Sequence, residues 1–142
     1  MENIHASCIS LNGKGILLTG QSGSGKSDMS LRLIMEKGAV LVADDRTNIC
    51  ARNGKLLASC PDNIKGLLEV RGVGIVNMPF QPHVDVCLIV ELVSPAVVVE
   101  RLPEPEYEDL CGLKIKKIKL YPFEASAIHK IVLACGEKSE VC

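Results

Sequence analysis

Apolar positions in this chain repeat mostly with period two, and the period lengthens to that of a helix in two places. Ser7 to Leu11 alternates and predicts a strand. Gly15 to Thr19 is an apolar run and predicts a second, and the Asn12-Gly13 dipeptide between them predicts a tight hairpin. Residues 26 to 37 carry the helical period: Leu31, Ile34 and Met35 share one face, Met29 and Leu33 widen it, and Gly38 stands where a C-cap is expected. Ala39 to Ala43 is short and fully apolar, as a buried strand is. Thr47 to Arg52 and Lys55 to Ser59 flank Asn53-Gly54 and predict another hairpin. Leu67 to Val70 and Ile75 to Met78 predict short strands around Gly72 and Gly74. Val84 to Val93 is the longest strand-like run, and Lys114 to Tyr121 sets Ile115, Ile118 and Leu120 among lysines. Ala125 to Cys135 predicts a closing helix, and the polar tail from Gly136 to Cys142 is expected to fray.

Strands outnumber helices in this reading, which argues against a doubly wound sheet. An α/β architecture follows instead, a mixed β-sheet with flanking helices. No linker-like or repeated segment divides residues 1–142, so one domain is expected. Tryptophan is absent and Phe and Tyr number two each, so the core must be built from Leu, Ile, Val and Ala.

Charge changes the picture by exclusion. Sixteen basic residues face seventeen acidic ones, which gives no electrostatic case for nucleic acid or a membrane surface as partner. No apolar run reaches the roughly 18 residues of a membrane span, and the first residues lack the layout of a secretory signal. The seven cysteines form no C-x-x-C pair and are odd in number, so reduced thiols in a cytoplasmic protein are expected, with neither a disulfide framework nor a zinc site.

The chemistry sits between the second strand and the first helix. Gly20-Gln21-Ser22-Gly23-Ser24-Gly25-Lys26-Ser27 matches the phosphate-loop pattern G-x4-G-K-[ST]. Glycines let successive N–H groups turn inward toward phosphate oxygens, and the helix adds the positive end of its dipole. Lysine reaches the β- and γ-phosphates, and the serine hydroxyl ligates magnesium. Such a P-loop site for a magnesium-bound nucleotide wants carboxylates nearby. The run Val40 to Ala43 ends in Asp44-Asp45, which suggests a division of labour: one acid orients the metal shell and the other takes a proton from an attacking hydroxyl. Val86 to Glu91 is also an apolar run ending in an acid and competes for the same role.

Several segments together decide between them. Leu68-Glu-Val-Arg-Gly-Val-Gly-Ile-Val76 resembles the signature segment of the bacterial HPr kinase/phosphorylase family. The phosphate loop, Leu41-Val-Ala-Asp-Asp-Arg46, a histidine fifteen residues before Gly20 (His5) and Glu100-Arg101-Leu102 resemble further parts of it. The resemblance implies the catalytic-domain fold of that family and transfer of phosphate from ATP to a serine of HPr, the small phosphocarrier of the sugar phosphotransferase system. It implies that Lys26 and the loop amides hold the phosphates and that Ser27 and Glu69 ligate Mg2+. Asp45 would accept the serine proton, and Arg101 and His5 would steady the moving phosphoryl group. It also implies hexamers, and Arg71 is left between a structural pairing and a functional role.

The chain departs from the family in three places, one of them a distance from Glu69 to Arg101 shorter than the family usually shows. It is expected to be a short form that starts close to the catalytic domain, without the N-terminal domain of long members. Where the family has a glycine- and arginine-bearing segment linked to dephosphorylation, this chain has Tyr121-Pro-Phe-Glu-Ala-Ser-Ala127. A loop that must hold inorganic phosphate needs cationic or N–H donors, so weak or absent phosphorylase activity is expected. Two other readings stay open at this stage: a nucleotide-sensing module that transfers nothing, and a small-molecule kinase. The lysines at 114, 116, 117 and 119 read as the solvent side of an edge strand.

Overall fold

The computed structural model describes residues 1–137. Along the chain come β1 (Glu2–His5), β2 (Ser7–Leu11), β3 (Lys14–Thr19), α1 (Lys26–Lys37), β4 (Val40–Ala43), β5 (Arg46–Arg52) and β6 (Lys55–Ser59). Then follow β7 (Leu67–Val70), β8 (Gly74–Asn77), β9 (His83–Leu92), β10 (Glu106–Leu110), β11 (Leu113–Leu120) and α2 (Ala127–Val132), which a wider helical turn, Leu133–Glu137, extends.

Nine strands build one mixed sheet in the order β1-β5-β6-β9-β3-β2-β4, with β11 added beside β9 and β10 beside β11. Strand β9 changes partners along its length. Residues 83–85 run antiparallel to β6, residues 86–91 run parallel to β3, and residues 89–92 run parallel to β11. The β7–β8 hairpin stands apart as a two-stranded sheet.

Both faces of the central strands are covered, which is why they read as nearly continuous apolar runs. On one face Ile9, Ile16, Leu18, Leu88 and Val90 meet Met29 and Leu33 of α1 and Ile128 and Ile131 of α2. On the other, Cys8, Leu17, Val42 and Ile89 meet Ile49, Leu56 and Ala58 from β5 and β6. Among the described residues no helix is long and apolar enough to cross a membrane.

The expected α/β class and the two Asn-Gly hairpins are observed. Helix α1 keeps its expected bounds and ends on Gly38, whose N–H donates to Leu33 O. Four details differ. The buried face of α1 runs through Lys26, Met29, Ser30 and Leu33, while Met35 is 72% exposed, because the helix rests on β2 and α2 rather than under a wider apolar cover. Strand β11 is not an edge: β9 and β10 flank it, and Lys117 is paired with Glu91 at 3.0 Å and Glu108 at 3.2 Å. Strands β1 and β10 were not expected at all. The closing helix starts at Ala127 rather than Ala125, and at Leu133 it passes into the wider turn; of the tail expected to fray only Gly136, at φ 121°, and Glu137 are described, at the end of that turn, and the rest lies outside the described residues.

The α1 packing makes a direct prediction. Leu33→Ala should destabilise the protein by about 2–5 kcal/mol, because it empties a fully buried site. Met35→Ala should change stability by less than about 0.5 kcal/mol. Urea denaturation of the two variants checks the helix orientation, and the reverse ranking would contradict it.

Candidate phosphoryl-transfer site

The chain leaves β3 at Thr19 and enters α1 at Lys26 through a turn that glycine makes possible. Gly20, Gly23 and Gly25 have φ values of 142°, 81° and 103°. A Cβ at Gly20 would lie 2.7 Å from Leu92 O, and one at Gly25 would lie 3.1 Å from Phe123 Cζ. The loop is therefore held between the end of β9 and the segment after β11. No side chain caps α1 at Gly25, which leaves its first amides for an anion. Lys26 is buried, and its Nζ donates to Gly20 O and Gln21 O, each at 3.1 Å. Burial pushes the Lys26 ammonium below the usual lysine range, against the opposing pull of Asp45 and Asp44.

The two acids after β4 part company. Asp45 adopts φ 70°, a left-handed conformation that aspartate tolerates better than most residues, so the two carboxylates face different partners. Asp44 is buried and turns inward. Its Oδ1 accepts from Ser27 Oγ at 2.7 Å and Ser7 Oγ at 3.1 Å, and its Oδ2 accepts from the Glu69 amide at 3.1 Å. Asp45 stays exposed, its Oδ1 accepting from His5 Nε2 at 2.8 Å, while its amide donates to Ser7 Oγ at 3.0 Å.

Lys26, Ser27, Asp45, Glu69, Arg71 and Phe123 line one cavity of about 400 Å³, with Asp44 buried behind Ser27. The rival acid, Glu91, ends β9 on the other side of β3 and is engaged with Lys117, whereas Ser27 is bound to Asp44. His5 reaches the site through its partner Asp45. Arg101 is exposed on the connection between β9 and β10 and lines neither this cavity nor a second one beside the loop.

Two participants, Ser7 and Phe123, escaped sequence reasoning, and a third, Arg71, was left undecided by it. Ser7 looked like one more small residue in an alternating strand, yet its hydroxyl links both acids. Phe123 lay in a segment noted for lacking glycine and arginine, and only the fold brings it against Gly25. Arg71 was visible in the Leu68–Val76 segment but had no partner in sequence to decide its role.

The sequence profile of the HPr serine kinase C-terminal domain matches residues 1–138. The chain belongs to this family. It is 36% identical over 110 residues to the HPr kinase/phosphorylase of Clostridium tetani, covering 78% of this chain and 36% of that protein. It is 35% identical to the HPr kinase/phosphorylase of Geobacillus thermodenitrificans, covering 85% of this chain and 39% of that one. The chain thus spans about two fifths of the length of these curated relatives. The HPr(Ser) kinase/phosphatase structure from Coxiella burnetii superposes with a TM-score of 0.85 at 27% identity over 99% of each chain. Fold and kinase family are thereby shown.

The family implies a magnesium-nucleotide substrate, and the residues present fit it. Ser27 and Glu69 line the cavity with hard oxygen donors beside an uncapped helix start, and Asp44 aligns Ser27 from behind. Among the described residues no group of three or more His, Cys, Asp or Glu side chains forms a self-sufficient metal site. Mg2+ is commonly held by one or two protein groups together with waters and substrate phosphates.

Proposed function

We propose that this chain is the catalytic part of an ATP-dependent protein kinase that phosphorylates a serine of HPr, with weak or no phosphorylase activity. The observation that carries the reading is the split between neighbouring acids. Asp44 is committed to Ser27, while Asp45 is held by His5 at the wall of the same cavity. A nucleotide sensor needs the first acid and has no use for the second.

In this reading the loop amides and Lys26 hold the triphosphate, and Lys26 exchanges its two loop carbonyls for phosphate oxygens. Ser27 and Glu69 would hold magnesium, which would supply charge neutralisation for the phosphates. The seryl hydroxyl enters beside Asp45. Its oxygen forms a bond to the γ-phosphorus, the bond from that phosphorus to the bridging oxygen breaks, and Asp45 takes the proton. ADP then carries the leaving charge. His5 fixes the Asp45 carboxylate, a positioning role. Arg71 supplies positive charge from the cavity wall, and Arg101, outside both cavities, is assigned none.

The phosphorylase expectation gains support from the placement of the segment after β11. It puts a phenyl ring against the loop at Gly25, and Glu124 is occupied by Lys130 at 2.7 Å. Neither group offers a donor to inorganic phosphate.

Incubation with labelled ATP, magnesium and HPr from the same organism, followed by mass spectrometry, tests the kinase. Phosphoserine on HPr is expected; label on a small molecule alone, or nowhere, would reject the proposal. In a companion assay, phospho-HPr with phosphate and magnesium should release pyrophosphate far more slowly than the forward reaction consumes ATP. Brisk release would show that the phosphorylase is intact. The hexamer implied by resemblance is checked by sedimentation.

A further inference from the structure

A second cavity, of about 340 Å³, lies on the other side of the phosphate loop, within the roughly 300–1,000 Å³ typical of small-molecule sites. It shares Ser22, Gly23 and Phe123 with the first. Its own walls come from the end of β9, the segment through Val97, and Pro122. These walls are tied down. Tyr121 Oη donates to Val97 O and accepts from the Val99 amide at 3.1 Å, and the Val93 amide donates to Leu120 O at 3.0 Å. Arg32 Nη2 donates to Pro122 O at 2.5 Å, fixing the opposite wall to α1.

Strand order orients a bound nucleotide. Asp44 and Asp45 follow β4, which lies beyond β2 on one side of β3; β9 and β11 lie on the other. A triphosphate lying along the loop with its reacting end at Asp45 must point its other end toward β9, where the second cavity opens. Glu91 borders that cavity. Its Oε1 is engaged by Lys117 at 3.0 Å, which leaves its second oxygen to accept a hydroxyl.

From this arrangement we infer that the second cavity is the nucleoside subsite of the phosphoryl donor, with a purine base against Val97, Pro122 and Phe123 and a ribose hydroxyl on Glu91. The inference rests on the ATP-dependent reading above. Its apolar walls suit a flat heteroaromatic ring, and a carboxylate is a natural acceptor for the paired hydroxyls of ribose.

Equilibrium binding of magnesium-ATP and magnesium-tripolyphosphate, without any transfer step, tests it. The wild type should bind ATP more tightly than tripolyphosphate. Val97→Trp, which fills the cavity, should weaken ATP by about tenfold or more and leave tripolyphosphate within about twofold. Unchanged ATP affinity, or equal losses for both ligands, would overturn the subsite. A second variant guards against a general distortion. Glu91→Ala should erase the preference for ATP over 2′,3′-dideoxy-ATP, whereas Glu108→Ala, which removes the other partner of Lys117 away from the cavity, should keep it. Equal effects of the two would remove the ribose contact. Failure of the wild type to bind either polyphosphate would instead sink the kinase reading, whereas equal binding of both would sink only the subsite.

Discussion

Asp45→Asn is expected to slow phosphoryl transfer to HPr by about 10²–10⁴-fold, the span typical of a lost general base. ATP affinity should stay within about threefold, because the carboxylate is bonded to His5 rather than to the phosphate loop. The amide keeps the shape of the side chain, and its carbonyl oxygen still accepts from His5 Nε2. What it loses is the capacity to take a proton at neutral pH. His5→Gln should have a smaller effect on kcat, and the double variant should be no slower than Asp45→Asn alone, since His5 acts through the acid it holds. Single-turnover transfer and calorimetric titration of nucleotide separate the two quantities. A variant that transfers at the parental rate would end the assignment of Asp45, and with it the case for a transferase over a sensor.

Much of this was legible beforehand, for identifiable reasons. The Asn12-Gly13 and Asn53-Gly54 turns favour left-handed residues that tight hairpins require, and both asparagines and glycines adopt positive φ. The loop and α1 were legible because phosphate binding demands glycine and lysine at set spacing. Where tertiary pairing overrides local pattern, the sequence was silent. Strand β10 is acid-rich and follows Pro103 and Pro105, so alone it reads as a loop; it becomes a strand because Glu106–Leu110 lies opposite the lysines of β11, with Glu108 bonded to Lys117. Strand β1 carries Glu2 and Asn3, and it exists because its register with β5 sets His5 opposite Arg46, next to Asp45. Met35 fitted the helical period but had no cover. Arg101 carried the resemblance in sequence, yet its loop holds it outside the cavity that Arg71 lines.

Asp44→Ala is expected to do different damage from the substitution one residue later. It strips the acceptor from Ser27 Oγ, from the Glu69 amide and from one side of Ser7 Oγ. Buried donors without partners cost about 1–3 kcal/mol each, and partial access to water lowers the sum, so a loss of about 2–4 kcal/mol in unfolding free energy is expected. Transfer should fall as well, because Ser27 and Glu69 lose the group that aligns them. Asp44→Asn should be intermediate, since one oxygen remains an acceptor while the NH2 meets a donor. Asp45→Asn should change stability by less than about 0.5 kcal/mol at its exposed position. Urea midpoints for the three proteins decide this, and equal stabilities would show that Asp44 does not knit the site together.

The partner-switching of β9 has a consequence for biogenesis. The phosphate loop leaves the ribosome before the strand that seats β3, which begins only at His83. Until that segment emerges, β3 has one sheet neighbour instead of two and Gly20 lacks the Leu92 carbonyl against which it packs. Such long sequence separation slows folding and leaves apolar strand edges open in the nascent chain. Because a ligand stabilises only the conformation that binds it, a phosphate ligand of this loop can assist maturation only after β9 has been synthesised.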